Sequence, residues 1–167
     1  MFDIEPVSLG VSILLVIGFI APLYIYKRKQ SKKASYQKNL FNETEKTLGL
    51  TCDVKDFWRD YYAIGLDSDH KMLVYIKFEQ ESLPQVFDLR NYDSITQIQR
   101  HEEIKTGNIR KEITNFIGLK LNVQNSNQKE TILEFYDGDL FSDHQGEGPL
   151  AAKWKDLIKQ SMQKKGK

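Results

Sequence analysis

Cysteine is nearly absent from this chain. Among 167 residues there is one, Cys52, so no internal disulfide can form, and a reducing compartment is favoured over an oxidising one. Histidine is almost as scarce: His70, His101 and His144 are scattered and show no paired metal spacing such as H-x-x-x-H. No internal repeat or low-complexity tract stands out beyond a basic linker. Charge of one sign is missing from whole stretches. No Lys or Arg precedes residue 27, no acid lies between 27 and 40, and Val7 to Tyr26 carry no charge of either sign. The net charge of +1 therefore divides into −2 over residues 1–26, +6 over 27–40 and −3 over the rest. A slightly acidic body lacks the gathered Lys and Arg that replace phosphate counterions, which argues against nucleic acid as a partner.

What the N-terminal stretch does contain is VSLGVSILLVIGFIAPLYIY, followed at once by a basic run. At ~1.5 Å per residue, about 20 residues make a helix of roughly 30 Å, the thickness of a bilayer's hydrocarbon core. Tyr24 and Tyr26 sit where aromatic rings favour the headgroup layer. A cleaved signal peptide would need a basic stretch before the apolar run and small residues at a cleavage site, and neither is present. The sequence thus predicts a transmembrane helix over 7–26, after a short extracytoplasmic 1–6. Lys27, Arg28, Lys29, Lys32 and Lys33 all lie C-terminal to it. They place the N-terminus outside and the rest in the cytoplasm, as a single-pass protein of the inner (plasma) membrane, and they form a cluster suited to anionic lipid headgroups. Residues 27–50 read as a basic juxtamembrane linker or helix, with good helix formers from Ala34 to Leu48 and Gly49 placed to end them.

After Cys52 the apolar period changes to two, and residues 51–167 read as one domain. Tyr62, Ile64 and Leu66 alternate with Ala63, Gly65 and Asp67; the cluster Asp67-Ser68-Asp69-His70 then leads into a strand from Lys71 to Phe78. This is a hairpin pattern. Further strands are expected over Gln85–Leu89, Ser94–His101, Asn115–Val123 and Thr131–Tyr136, with QNSNQK at 124–129 as the turn between the last two. Within Phe116–Val123, Ile117, Leu119, Leu121 and Val123 share one face, the mark of a half-buried antiparallel strand. Gly148 and Pro149 introduce Leu150, Trp154, Leu157, Ile158 and Met162, the stripe of an amphipathic helix with Lys153, Lys155, Asp156, Lys159 and Gln160 on the solvated face.

The order of these elements, hairpin strands first and an amphipathic helix last, resembles a pleckstrin-homology-like domain. The resemblance rests on Tyr61–Phe78, Phe116–Tyr136 and Trp154 in the closing helix. The chain is also similar to small bacterial membrane-anchored proteins with such a cytoplasmic domain, which implies a binding or scaffolding role and no known activity. The fold class expected is α+β: one N-terminal transmembrane helix, then a mainly antiparallel β barrel or sandwich closed by a C-terminal helix. Phosphoinositide-binding members of that family carry a basic first hairpin, whereas this turn is Asp67-Ser68-Asp69-His70-Lys71.

No catalytic residue or cofactor is nominated. The run from Asp137 to His144 opens with carboxylates two apart, as a calcium loop does. Its fifth, sixth and twelfth positions are Phe141, Ser142 and Gly148, however, where an EF-hand needs an oxygen ligand, Gly and Glu. A looser divalent site of Asp137, Asp139 and Asp143 is the one metal candidate, set against a solvated acidic loop. Gly146-Glu147-Gly148-Pro149-Leu150-Ala151 has dinucleotide-fingerprint spacing, but the chain ends before the required acid and Pro149 removes an amide from the helix start. Cys52 reads as a buried thiol, and Phe57, Trp58, Tyr61 and Tyr62 as packing ahead of a stacking platform. The function expected is a membrane-anchored, non-enzymatic interaction or scaffolding module at the cytoplasmic face, its partner another protein. The alternatives are a hydrolase or transferase using the Asp137–His144 loop, or a small-ligand sensor with a barrel-mouth pocket.

Overall fold

The computed structural model describes residues 6–79, 83–106, 109–123 and 130–164. The chain forms two compact units, Met1–Glu43 and Thr44–Lys167. Helix α1 (Pro6–Leu48) makes up the described part of the first and runs into the second. It ends as its sequence directs. Gly49 takes φ +64, its N–H reaches Lys46 O at 3.3 Å and the Leu50 N–H reaches Glu45 O at 2.9 Å, the paired bonds of a Schellman cap.

The expected membrane span is not found: among the described residues, no helix is long and apolar enough to cross a membrane. Lys27, Arg28 and Lys29 follow directly on Tyr26 and make most of the described length of α1 polar. Earlier in the segment, the side chains at 7–14, 16 and 17 lie outside the described residues. The single-pass placement in the plasma membrane, with its outward N-terminus and cytoplasmic domain, rested on that span and falls with it.

Among the described residues, the second unit holds seven strands in two antiparallel sheets. β1 (Val54–Trp58), β2 (Tyr62–Asp67), β3 (Met72–Lys77) and β4 (Gln85–Asp88) follow one another in the first; β5 (Tyr92–Thr106), β6 (Ile109–Val123) and β7 (Thr131–Asp137) form the second. Helix α2 (Glu147–Gln163) closes the chain. The β2–β3 hairpin forms where the alternation places it, and Asp67 fixes its turn by accepting from the His70 N–H at 2.9 Å. A 3-10 turn, Leu89–Asn91, carries the chain from one sheet to the other. Asp88 caps it by accepting from Arg90 N at 3.0 Å.

One core unites the sheets and the helix. Tyr62, Ile64, Leu66, Leu73 and Tyr75 come from the first sheet, Ile117, Leu119, Leu121, Leu133 and Phe135 from the second, and Ala151, Trp154 and Ile158 from α2. The alternation in β6 is seen directly, since Ile117, Leu119 and Leu121 are buried. The first sheet departs from the half-buried pattern: Ala63, Val74 and Ile76 on its other face are fully buried as well.

Among the described residues, the sheets do not close into a barrel. Strand pairing stops at β7, and its carbonyls are met by side chains instead of a neighbouring strand. Trp58 Nε1 donates to Phe135 O at 2.9 Å and Tyr75 Oη to Glu134 O at 2.7 Å. These side-chain donors from the first sheet satisfy part-buried acceptors of β7. Two regions of strand also exceed what the sequence pattern predicts. β1 includes Lys55 and Asp56, and β5 and β6 stay paired through 101–106 and 109–114, where the residues alone suggest a polar connection.

Candidate functional site

The acidic loop is spent on structure. Asp137 Oδ1 accepts from Asp139 N at 2.9 Å, and Asp137 O accepts from Phe141 N at 3.0 Å. Asp143 is taken by Arg59, whose Nη1 donates to its Oδ1 at 2.8 Å. His144 Nε2 donates to Thr114 O at 3.1 Å, and its ring lies 4.1 Å from that of Tyr136. Asp139 and Asp143 are both exposed, the second with its carboxylate held by Arg59. Among the described residues, no three His, Cys, Asp or Glu gather to hold a metal ion. Lys27, Arg28, Lys29, Lys32 and Lys33 are exposed along α1. The aromatic group of β1 and β2 is packing: Trp58 stacks on Tyr62 at 5.1 Å and on Phe135 at 4.9 Å.

Arg59 carries no sequence signal, yet it organises this end of the domain. It and Asp60 form the β1–β2 turn with φ +57 and +46, a left-handed pair that side-chain-bearing residues adopt at a cost of about 1–2 kcal/mol each. Its side chain is 6% exposed. Nε donates to Glu147 Oε1 at 2.5 Å, Nη2 to Asp143 O, and the guanidinium lies 4.9 Å from the Phe141 ring centre. Glu147, the first residue of α2, is 2% exposed, and its second oxygen accepts from Gln145 N at 2.7 Å. With two carboxylates around it, Arg59 offers nothing to an outside anion. It is a clasp between the first turn of the domain and the start of its last helix.

Cys52 is buried and chemically quiet. Its N–H donates to Glu45 Oε1 at 2.9 Å, and Glu45 pairs with Lys55 at 2.5 Å. Burial, and then the negative charge of Glu45, push its thiol up to about 12. The thiolate is the reactive form. At a fixed pH near 8 the native protein should therefore react with a maleimide on the order of a thousandfold more slowly than the urea-unfolded chain. Equal rates in the two states would show that the thiol is neither buried nor shifted.

An open sheet edge lies elsewhere, where α2 runs beside β5. β5 is the terminal strand of its sheet, so every second residue along it turns its N–H and C=O outward with no strand to receive them. Among the described residues, no loop backbone supplies those bonds over 93–97. A groove of about 510 Å³ follows this edge, floored by Ile95 and Met162 and flanked on the helix by Lys155 and Lys159. The two lysines are one turn apart on one helix face, and neither makes an ion pair with a described residue. Lys155 is half-buried, although the helical stripe alone assigns it to solvent. A second cleft of about 570 Å³ between Leu48 and Arg90 has its charges already engaged: His70 Nδ1 on Asp67 at 2.8 Å, and Arg90 on both oxygens of Asp88.

The groove combines main-chain hydrogen-bonding groups, an apolar floor and two ammonium groups on the helix, with Asp93, Ser94 and Thr96 along its strand side. No family model matches the chain, and neither a curated protein nor a solved structure is found to be similar to it.

Proposed function

We propose that Thr44–Lys167 is a non-enzymatic interaction module that takes an extended, acidic segment of a partner protein as an added strand along β5. The observation that carries this reading is the open β5 edge lying beside Lys155 and Lys159 in one groove. Strand addition draws affinity from main-chain bonds and specificity from alternate side chains. Here alternate residues of the added strand would face the Ile95 and Met162 floor, while carboxylates on it would meet the lysines.

The test is fluorescence anisotropy of a labelled peptide of alternating Val and Glu against the full chain. Saturable binding is expected, weakened at least about tenfold, or ~1.4 kcal/mol, by Lys155→Glu with Lys159→Glu. The same peptide N-methylated at alternate residues keeps its charge and loses strand pairing, so it should fail to bind. Binding that survives N-methylation, or equal binding of a Val/Lys peptide, would refute strand addition or charge selection respectively. Absence of binding to any of them would remove the proposal.

A further inference from the structure

β7 pairs with β6 only from Phe116 to Leu121. Beyond that, β5 and β6 pair with each other alone, from His101↔Thr114 to Thr106↔Ile109. The result is a two-stranded arm about 20 Å long at ~3.4 Å per residue. An isolated ribbon of this kind is marginal in water, and its cross-strand pairs are the unit that stabilises it. The pairs found here oppose that. Glu103 lies directly across from Glu112, and two residues on, Lys105 lies directly across from Arg110. Residues directly opposite share a face, and positions two apart stay on it, so one face carries an acidic pair and then a basic pair. All four side chains are exposed. Among the described residues no ion pair joins the acids to the bases, and Glu112 instead lies 3.9 Å from His101 Nδ1.

Like charges placed across a ribbon destabilise it, whereas exchanging Glu112 with Arg110 would give two opposite-charge pairs from the same residues. The order found becomes favourable in one arrangement. A second copy, turned about a two-fold axis passing between the acidic and basic pairs, sets its basic pair on the first copy's acidic pair, and its acidic pair on the first copy's basic pair. A surface that is self-complementary under a two-fold is the requirement for a closed dimer.

We infer that this arm is a self-association surface whose occupant is the same arm of a second copy, held by four reciprocal charge contacts. Exposed charges are screened within ~8 Å at physiological ionic strength, so the dimer is salt-sensitive.

Sedimentation velocity on the full chain tests it. The expected result is a concentration-dependent dimer at low salt that dissociates at high salt. Glu103→Lys with Glu112→Lys makes the face all basic, and Lys105→Glu with Arg110→Glu makes it all acidic. Each variant alone should stay monomeric, and an equimolar mixture of the two should dimerise. The fourfold exchange carrying all of these substitutions should dimerise by itself. All four positions are exposed, and circular dichroism checks that each variant is folded. A wild-type chain that is monomeric at low salt overturns the inference. So does a dimer that persists in both single-face variants, which would place the contact on another surface, and so does failure of the mixed variants to associate.

Discussion

Trp154→Ala is expected to lower the melting temperature more than any substitution on the outer face of α2. Trp154 is fully buried in the cluster shared by both sheets, between Ala151 and Ile158 on the same helix face. Its Nε1 donates to Asp56 Oδ2 on β1 at 2.8 Å. Removing a buried tryptophan side chain costs about 3–5 kcal/mol through lost transfer energy and the cavity left behind. With each kcal/mol worth about 3–6 °C for a domain of this size, the melting point should fall by roughly 10–25 °C. Two companions separate the contributions. Trp154→Phe keeps most of the ring and drops the hydrogen bond, while Lys153 still reaches Asp56 at 2.6 Å, so a smaller loss of about 1–2 kcal/mol is expected. Lys155→Ala should change stability by no more than about 0.5 kcal/mol. An unaltered melting temperature in Trp154→Ala would mean that α2 is not docked through this stripe.

The stripe on α2 is legible because a helix repeats its face every three or four residues, and Leu150 to Met162 keep that spacing with one large residue in the middle. The β2–β3 hairpin and the buried face of β6 are legible for the corresponding reason in period two. β1 is not. Lys55 and Asp56 break the apolar pattern, because this strand answers to partners outside its sheet, with Asp56 receiving the Trp154 indole. The arm is not legible either: its pairing is backbone hydrogen bonding between polar residues, and periodicity records burial, not pairing. Both faces of the first sheet are buried, which Ala63, Val74 and Ile76 permit but a single-face reading does not anticipate. The open edge of β5 is a matter of sheet order, which no local pattern encodes. The apolar N-terminal run shows the opposite failure, since its composition alone suggests a membrane span.

Arg59 is the least legible residue of all and should be the next most costly to remove. Its partner Glu147 stands between two glycines in a run that the sequence shows only as a failed dinucleotide fingerprint, yet that carboxylate is 2% exposed. Arg59→Ala leaves it with the Gln145 amide and, at 3.9 Å, the His144 ring, without the guanidinium that it pairs with directly. Breaking a buried pair from one side costs about 3–5 kcal/mol, because the remaining charge has neither water nor counterion. Glu147→Gln should cost less, since Arg59 keeps Asp143. The effect must also depend on pH. In the native protein, burial raises the Glu147 pKa, but the Arg59 hydrogen bond and the backbone amides outweigh it and hold the group below its ordinary value of 4.5. A carboxyl depressed by folding contributes stability above its unfolded pKa and loses it as pH falls through the folded one. In Arg59→Ala burial acts without the guanidinium, so the folded pKa should rise above the unfolded value. The penalty is then greatest near neutral pH and relieved as the carboxyl protonates. Urea unfolding of wild type and Arg59→Ala at about pH 7, and at steps below about 4.5, should therefore show a stability gap that narrows on acidification. A gap that stays constant across that range would mean that Glu147 does not feel Arg59, and that the clasp contributes through packing alone.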